Sequence, residues 1–170
     1  DKIEEPKVNP VTFPPGSAAL SLGMEQHLLR VADFMRRTPY VGLTMHPVTA
    51  AADVDALKSV EVAAKLQQFA KERGITEPPK VLPAYFQARV PNEKLPETTD
   101  DQLKLLRERE PVPEANVKEL EARRLSVTKE RLVQKEGIQE KRLQAGESRK
   151  PGDGATEGAV EFGIGEGEDD

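Results

Sequence analysis

The chain contains no cysteine and no tryptophan among its 170 residues. Disulfide bonds and thiol chemistry are therefore excluded, and this absence is compatible with either a reducing or an oxidising compartment. Aromatic residues account for only 4% of the sequence and hydrophobic residues for 36%. These fractions predict a hydrophobic core smaller than that of a typical globular domain of this length.

Charge of one sign is not concentrated in the sequence, whose 25 basic and 30 acidic residues give a net charge of -5. Since binding to a phosphate backbone requires a clustered basic face, we expect no nucleic-acid partner. No apolar run approaches the roughly 20 residues of a membrane-spanning helix, so no membrane span is expected. The acidic start DKIEEPK does not resemble a signal peptide. Any export signal is therefore expected to have been removed or to lie in a larger parent chain.

Residues that could support catalysis are few and scattered. His27 and His46 are the only histidines and lack the H-x-x-x-H spacing, which argues against a zinc site. Ser17 and Ser126 have no histidine and aspartate that the sequence assigns to them, so nucleophilic catalysis is not supported. The glycine-rich C-terminal stretch lacks the G-x-x-x-x-G-K-S/T phosphate-binding pattern. We therefore predict a protein that is not an enzyme and needs no cofactor or metal ion.

The first half of the chain alternates strand patterns with amphipathic helix patterns. The alternation in VTF predicts a strand at residues 11–13, and YVGLTMH predicts a second at residues 40–46 that Pro47 ends. Helices are predicted at residues 20–37 and 53–73. Ser17 is the candidate N-cap of the first helix. Because a right-handed crossover joins two strands through a helix, the two strands should run parallel.

Residues 77–113 contain a proline every few positions, which excludes a long uninterrupted element. The stretch DDQLKLLRERE predicts a short helix, and Tyr85 and Phe86 could fix the segment LPAYFQARV against the domain. The leucine and aromatic content is too high for a disordered linker. We therefore interpret residues from about 75 to 113 as an insertion that packs on the domain.

Residues 116–143 form the longest pattern and predict an amphipathic helix followed by a short strand. The apolar stripe of this helix is predicted to comprise Leu120, Leu125, Thr128 and Leu132. Gly137 suits the left-handed position that ends a helix, and Gly74 follows the preceding helix in the same way. Both glycines are followed by isoleucine, which could cover the last helical turn.

Two further strands are predicted near the C-terminal end, at residues 142–145 and 159–164. The resulting organisation is an extended lead-in at residues 1–10, one domain with its insertion at residues 11–164, and an acidic tail at residues 165–170.

Several of these patterns are shared with a known family. Phe13, Ser17 and Leu20 match its Phe-x-x-x-Ser-x-x-Leu spacing at the first strand, and LEARRLSVTKERLVQKEGIQEKRL matches its helix with an arginine pair, a Gly-Ile stop and a basic residue before the third strand. GAVEFGI matches the terminal strand. The chain thus resembles the C-terminal domain of OmpA-like envelope proteins. With its insertion and the phrases FPPGSAAL and EPVP, it resembles the C-terminus of large AsmA-like bacterial envelope proteins, most of unknown function.

The resemblance implies an α+β fold with the order β-α-β-α-(insertion)-α-β-β. A mixed sheet would carry helices on one face, namely those near Leu28, Leu66 and Leu125. The middle of the chain departs from the minimal domain of the family, which has no counterpart of the proline-rich segment. A periplasmic location in the bacterial cell envelope is implied as well.

OmpA-like domains bind peptidoglycan through an aspartate after the second strand and an arginine on the later helix, and the resemblance directs attention to those positions. No acid occurs at residues 46–49, and the nearest are Asp53 and Asp55. Arg123 and Arg124 remain, although the helix is one residue longer than in the family. Two interpretations stay open. The arginines are solvated charges that pair with Glu119, Glu121 or Glu130, or one of them binds peptidoglycan together with Asp53 or Asp55.

Three functions follow as hypotheses. The first is a non-catalytic envelope interaction or anchoring domain, the C-terminal module of a larger periplasmic protein, whose partners are envelope proteins or its parent chain. The proline-rich insertion and the surface near Arg123 and Arg124 would be its contact zones. The second is peptidoglycan binding. The third is an accessory subunit of a large assembly unrelated to OmpA, which predicts no self-contained sheet.

Overall fold

The computed structural model of the protein describes residues 8–166. Within them the fold is α+β, with four strands and five α-helices. The strands are β1 (Val11–Phe13), β2 (Val41–Val48), β3 (Leu143–Ala145) and β4 (Gly158–Glu166). The helices are α1 (Leu22–Arg37), α2 (Ala51–Arg73), α3 (Pro78–Arg89), α4 (Thr99–Arg109) and α5 (Glu114–Glu130). The predicted fold class and order of elements are therefore confirmed.

The chain divides into two compact units. The sheet unit contains the chain up to Val54 and from Glu114 onward, and the helical unit contains residues 55–113. Because α2 begins in the sheet unit and continues into the other, the helical unit starts some twenty residues before the predicted insertion boundary at about residue 75. Strand β4 includes residues 165 and 166, which the sequence assigned to the tail. The remaining predicted tail and most of the lead-in lie outside the described residues.

The sheet has the strand order β1-β4-β2-β3. β4 is antiparallel to both of its neighbours, whereas β2 and β3 are parallel. β1 and β2 therefore run in the same direction, as predicted, with β4 between them. Val11 pairs with Val160, so strands from the two ends of the domain are neighbours.

One face of the sheet carries the apolar residues, because successive side chains of a strand point to opposite faces. Leu43 and Met45 of β2 are buried beside Ile164 and Phe162 of β4, their partners in the ladder. Helix α1 covers this face with buried residues at helical spacing: Leu28, Val31, Ala32 and Met35. Helix α5 and the turn that follows it complete the cover and contribute Leu132 and Ile138.

Two predicted boundaries at the start of the chain are wrong. Helix α1 is capped by Ser21, whose side chain accepts a hydrogen bond from the Met24 backbone N–H, while the Ser17 hydroxyl accepts one from Ala19 instead. Strand β2 does not end at Pro47. The backbone of Pro47 points to the side of β2 that pairs with β3, and β3 has already ended at Ala145. The Pro47 carbonyl accepts from the Arg149 N–H on that side. The N–H that proline lacks therefore interrupts no hydrogen-bond ladder.

The end of the long helix follows the prediction. After α5 the chain makes a π-helical turn at Arg131–Lys135, which was not predicted, and Gly137 then adopts a φ of 72°. The Ile138 N–H donates to the Leu132 carbonyl, and the Ile138 side chain is buried. Gly74 ends α2 in the same way, with a φ of 68°. Only glycine takes this left-handed conformation without steric cost.

Arg142 fastens the end of α1 to the sheet. Its Nη2 lies 2.8 Å from the carbonyl oxygens of Met35, Thr38 and Val41, and its Nε donates to Val41 as well. A cation at a helix C-terminus is favoured by the helix dipole and satisfies carbonyls that have no partner within the helix. The basic residue that the sequence places before β3 thus closes the connection from α1 to β2.

The helical unit has a core of its own. Val62, Phe86 and Leu106 are buried there, one from each of its three helices. Leu66, which was predicted to cover the sheet, packs in this core instead. The predicted short helix is confirmed as α4, while α3 runs unbroken through Pro83.

Candidate functional site

Asp53 and Arg124 meet in the sheet unit as a buried ion pair. Arg124 Nη1 lies 2.9 Å from Asp53 Oδ2, and Nη2 lies 2.7 Å from Oδ1. The side chains are exposed by only 1% and 0%. Two parallel charge-assisted hydrogen bonds of this kind fix the relative orientation of both groups. Asp53 also occupies the first turn of α2, where the helix dipole favours a negative charge.

Helix α5 points Arg124 inward because this residue belongs to the buried stripe. The residues buried on this helix and its final turn recur every four positions: Leu120, Arg124, Thr128 and Leu132. Leu125, which the sequence pattern places in the stripe, is only partly buried. The interpretation of Arg124 as a solvated charge is therefore wrong, since its partner is Asp53 rather than a glutamate of its own helix.

The other two candidate residues lie outside this pair. Arg123 is exposed and forms the predicted i,i+4 pair with Glu119 at 3.5 Å, a solvated contact that contributes little. Asp55 is exposed two residues further along α2, where its carbonyl accepts from the Ser59 hydroxyl. Of the four residues singled out from the sequence, the structure brings Asp53 and Arg124 together.

All four acceptor positions of the Asp53 carboxylate are used. Oδ1 accepts from the Gly16 N–H at 2.9 Å as well as from Arg124, and Oδ2 accepts from the Ala50 N–H at 2.9 Å as well as from Arg124. Gly16 presents its N–H from a turn in which its φ is 68°. A carboxylate has about four lone-pair sites. Asp53 therefore has no acceptor left for a ligand.

Arg124 is enclosed by the segment that follows β1. Its Nε donates to the Ser17 carbonyl at 2.8 Å, and its Nη2 lies 3.1 Å from the Pro14 carbonyl. The guanidinium carbon lies 5.0 Å from the centre of the Phe13 ring, within the range of a cation–π contact. The pair thus joins three separate segments of the sheet unit: the turn after β1, the start of α2 and the middle of α5.

The environment keeps the Asp53 carboxyl charged. Burial on its own would raise the pKa of Asp53, but the hydrogen bonds from Arg124, Gly16 and Ala50 and the charge of Arg124 outweigh it and lower the pKa below the ordinary value. A group held ionised and fully hydrogen-bonded is unsuited to proton transfer. The pair therefore has the properties of a structural link rather than of an acid or base.

Gly158, the first residue of β4, lies directly against the pair. A Cβ atom at this position would overlap with Asp53 Oδ2 and Arg124 Nη1 and would lie 3.0 Å from the Val48 carbonyl. Neither Gly158 nor Gly16 stands in a periodic pattern, so the sequence alone does not single them out. A charged residue at the four-residue spacing of Leu120 and Thr128 was the signal that could have identified Arg124.

Glu121 connects the loops beside the pair to α5. Its two carboxylate oxygens accept from the Thr49 hydroxyl at 2.9 Å and the Ser148 hydroxyl at 2.8 Å, so the segments after β2 and β3 are attached to one helical turn. His46 of β2 contacts the same loop as Glu121, because its Nδ1 lies 2.8 Å from the carbonyl oxygen of Glu147. Among residues 8–166, no group of three or more histidine, aspartate or glutamate side chains could hold a metal ion.

Comparison with known proteins adds no relative. No known protein family matches the sequence, and a search of curated proteins finds no significant match. In the part of the chain that the structure describes, no helix is long and apolar enough to cross a membrane.

Proposed function

We propose that the chain is a non-catalytic interaction domain of the bacterial cell envelope, related to OmpA-like domains. It would anchor or position the end of a larger periplasmic protein of the AsmA-like kind through contacts with other envelope proteins or its parent chain. The observation that carries this proposal is the sheet itself. The order of elements is the one that the resemblance implies, and the pairing of Val11 with Val160 places the first and last strands in one sheet. An accessory subunit without its own sheet is correspondingly less well supported.

The closed Asp53–Arg124 pair supports protein contacts rather than a buried ligand site. A zwitterionic amino acid could bind between the two groups only by replacing their bidentate contact and the hydrogen bonds from Gly16 and Ala50. Removing one partner of a buried ion pair costs about 3–5 kcal/mol, so a ligand would have to replace the contacts of both groups to open this pair. The exposed surface, including the proline-rich part of the helical unit, is therefore where we place the interaction. Arg124 is not part of that surface.

Site-specific photo-cross-linking tests the proposed function. A photoreactive amino acid would replace Leu95 or Val112 in the proline-rich segment, or Leu22 on α1 as the matched control, since all three are exposed apolar residues. The full chain would be exported to the bacterial periplasm and irradiated. We expect a discrete cross-linked envelope protein from positions 95 and 112 and none from position 22. The same diffuse pattern at all three positions would contradict a specific protein contact.

Peptidoglycan binding is the second candidate, because Asp53 and Arg124, the residue types that the resemblance implies for it, do meet. We expect the chain to remain in the supernatant when it is centrifuged with purified sacculi, since both groups are saturated by the protein itself. A folded OmpA-like domain of known binding is the positive control. Free diaminopimelate, the zwitterionic amino acid of the peptidoglycan peptide, would be added as a competitor. Co-sedimentation that it reverses would show that the Asp53–Arg124 pair opens for this ligand, and it would contradict our proposal of protein contacts.

A further inference from the structure

The helical unit contains an open, largely apolar cavity of about 430 Å³, to which α2, α3 and α4 all contribute. Its apolar wall includes Leu66 and Ala70 of α2 and Pro78, Pro79 and Leu82 of α3. Leu66 and Leu82 also pack against the buried core of this unit, so that core holds the wall in place. The volume lies in the range of about 300–1,000 Å³ that is typical of ligand sites.

The lining of this cavity is uncharged. Charged residues make up 32% of the sequence, yet none of the residues that line the cavity, all of them within the described part of the chain, is charged. A charged group that entered would lose its hydration without gaining a counter-ion from the wall. The cavity therefore favours an apolar and neutral occupant.

Gln102 of α4 places one hydrogen-bond acceptor at the cavity. The residue is only 8% exposed, and its Nε2 donates to the Pro96 carbonyl at 2.8 Å. Because a carbonyl only accepts, this contact also fixes which end of the amide is the oxygen. Among residues 8–166 no group donates to that oxygen, and Arg131 Nε is their one buried side-chain nitrogen or oxygen without a partner. Gln102 Oε1 is therefore accessible, oriented and available to a donor.

An occupant that suits both features is large, apolar and uncharged and carries one donor. The tryptophan side chain has these properties, since its indole N–H donates and has no acceptor function. Tryptophan is also enriched among the residues that dominate binding energy at protein interfaces. The chain has no tryptophan, so a second copy of it cannot supply this group.

We propose that the cavity binds a tryptophan side chain of a partner protein, whose indole N–H donates to Gln102 Oε1 while the ring packs against the prolines and leucines of the wall. The inference rests on the proposed function and deepens it, because it names the chemistry by which the proline-rich part of the helical unit recognises its protein partner.

Fluorescence titration of the full chain with the neutral peptide acetyl-Gly-Trp-Gly-amide tests the proposal. The chain has no tryptophan, so with excitation selective for indole the emission reports on the peptide alone. We expect a saturable blue shift as the indole leaves water. The matched peptide with 1-methyltryptophan lacks only the N–H donor. It should bind about three- to tenfold more weakly, because Gln102 Oε1 then has no donor.

Three variants locate the binding site. Ala70→Glu places a carboxylate in the uncharged wall and should raise the Kd at least about tenfold. Ala64→Glu adds the same charge to the same helix at an exposed position that does not line the cavity, and it should leave the Kd unchanged. In Gln102→Leu the two peptides should bind equally, because the acceptor that distinguishes them is gone. The alanine variants keep the test valid if Gln102→Leu does not fold.

Several outcomes would overturn the inference. Equal binding of the two peptides by the native chain would show that Gln102 does not accept from the indole. Equal weakening by Ala70→Glu and Ala64→Glu would place the indole elsewhere. If no tryptophan peptide binds while cross-linking at positions 95 and 112 still yields an envelope protein, this cavity is not the contact site and the proposed function stands. If the peptides bind as expected but no envelope protein is cross-linked, the tryptophan site stands and the envelope role falls.

Discussion

Replacing Arg124 with methionine should lower the free energy of unfolding by about 3–5 kcal/mol, because it leaves the Asp53 carboxylate buried without its counter-ion. The carbonyls of Pro14 and Ser17 would lose a donor as well. Domains are stable by only about 5–15 kcal/mol, so the loss is a large part of the total. Urea denaturation followed by far-UV circular dichroism at pH 7 measures it.

The control for this experiment is the adjacent residue. Arg123→Met removes an exposed charge whose 3.5 Å contact with Glu119 is solvated, and we expect a change within about 0.5 kcal/mol. A second comparison uses Asp53→Leu combined with Arg124→Met. Replacing both members of a buried pair by apolar residues is often close to neutral, so the double variant should be more stable than Arg124→Met alone. If the double variant lost as much free energy of unfolding as the two single variants together, the two residues would not act as a unit.

The contribution of the pair should also depend on pH with a definite sign. The pKa of Asp53 is lowered in the folded protein, mainly by hydrogen bonds that overcome the opposing effect of burial. A lowered folded pKa means that the stabilisation is fully present above the ordinary value of 3.8 and is lost as pH falls through the folded pKa. In Arg124→Met the effect of burial is no longer opposed by Arg124, and this pushes the pKa of Asp53 upward. The difference in stability between the native chain and Arg124→Met should therefore be largest near pH 7 and shrink steadily as pH falls, because the unpaired carboxyl of the variant takes up a proton first.

Local patterns predicted most of the sheet unit. The alternation at Val11–Phe13 and in the last strand, and the Gly-Ile pairs after two helices, depend only on neighbours in the sequence, and the structure confirms them. The behaviour of Pro47 could not be predicted this way. Whether a strand tolerates proline depends on which side of it lacks a partner, and that is a property of the strand order.

The site was harder to predict for the same reason. Leucine is usually the better core residue, so Leu125 was preferred to Arg124 in the stripe. A buried arginine becomes favourable only when a carboxylate faces it, and that carboxylate lies 71 residues away in the sequence. The role of Gly158 is harder still to predict from the sequence, because it depends on the ion pair that forms against the first residue of β4. The sequence therefore named Asp53 and Arg124 through the family resemblance, and not through the packing that brings them together.

Gly158→Ala is expected to destabilise the protein by at least about 3 kcal/mol, since the added methyl overpacks the core and also pushes on a buried ion pair. The Cβ atom would overlap with Asp53 Oδ2 and Arg124 Nη1, and the Val48 carbonyl prevents it from moving aside. Gly165→Ala is the matched control on the same strand, where a Cβ would meet nothing within 4 Å. We expect that control to change stability by no more than about 0.5 kcal/mol.

A clash with the ion pair can be distinguished from a general intolerance of β4 to any side chain at position 158. Methionine at position 124 is flexible and can yield to an added methyl group, so Gly158→Ala should cost less in the Arg124→Met background than in the native chain. Urea denaturation of the four proteins in this cycle gives the coupling energy, for which residues in contact typically show about 0.5–3 kcal/mol. A coupling near zero would mean that Gly158 is required by the strand and not by the ion pair.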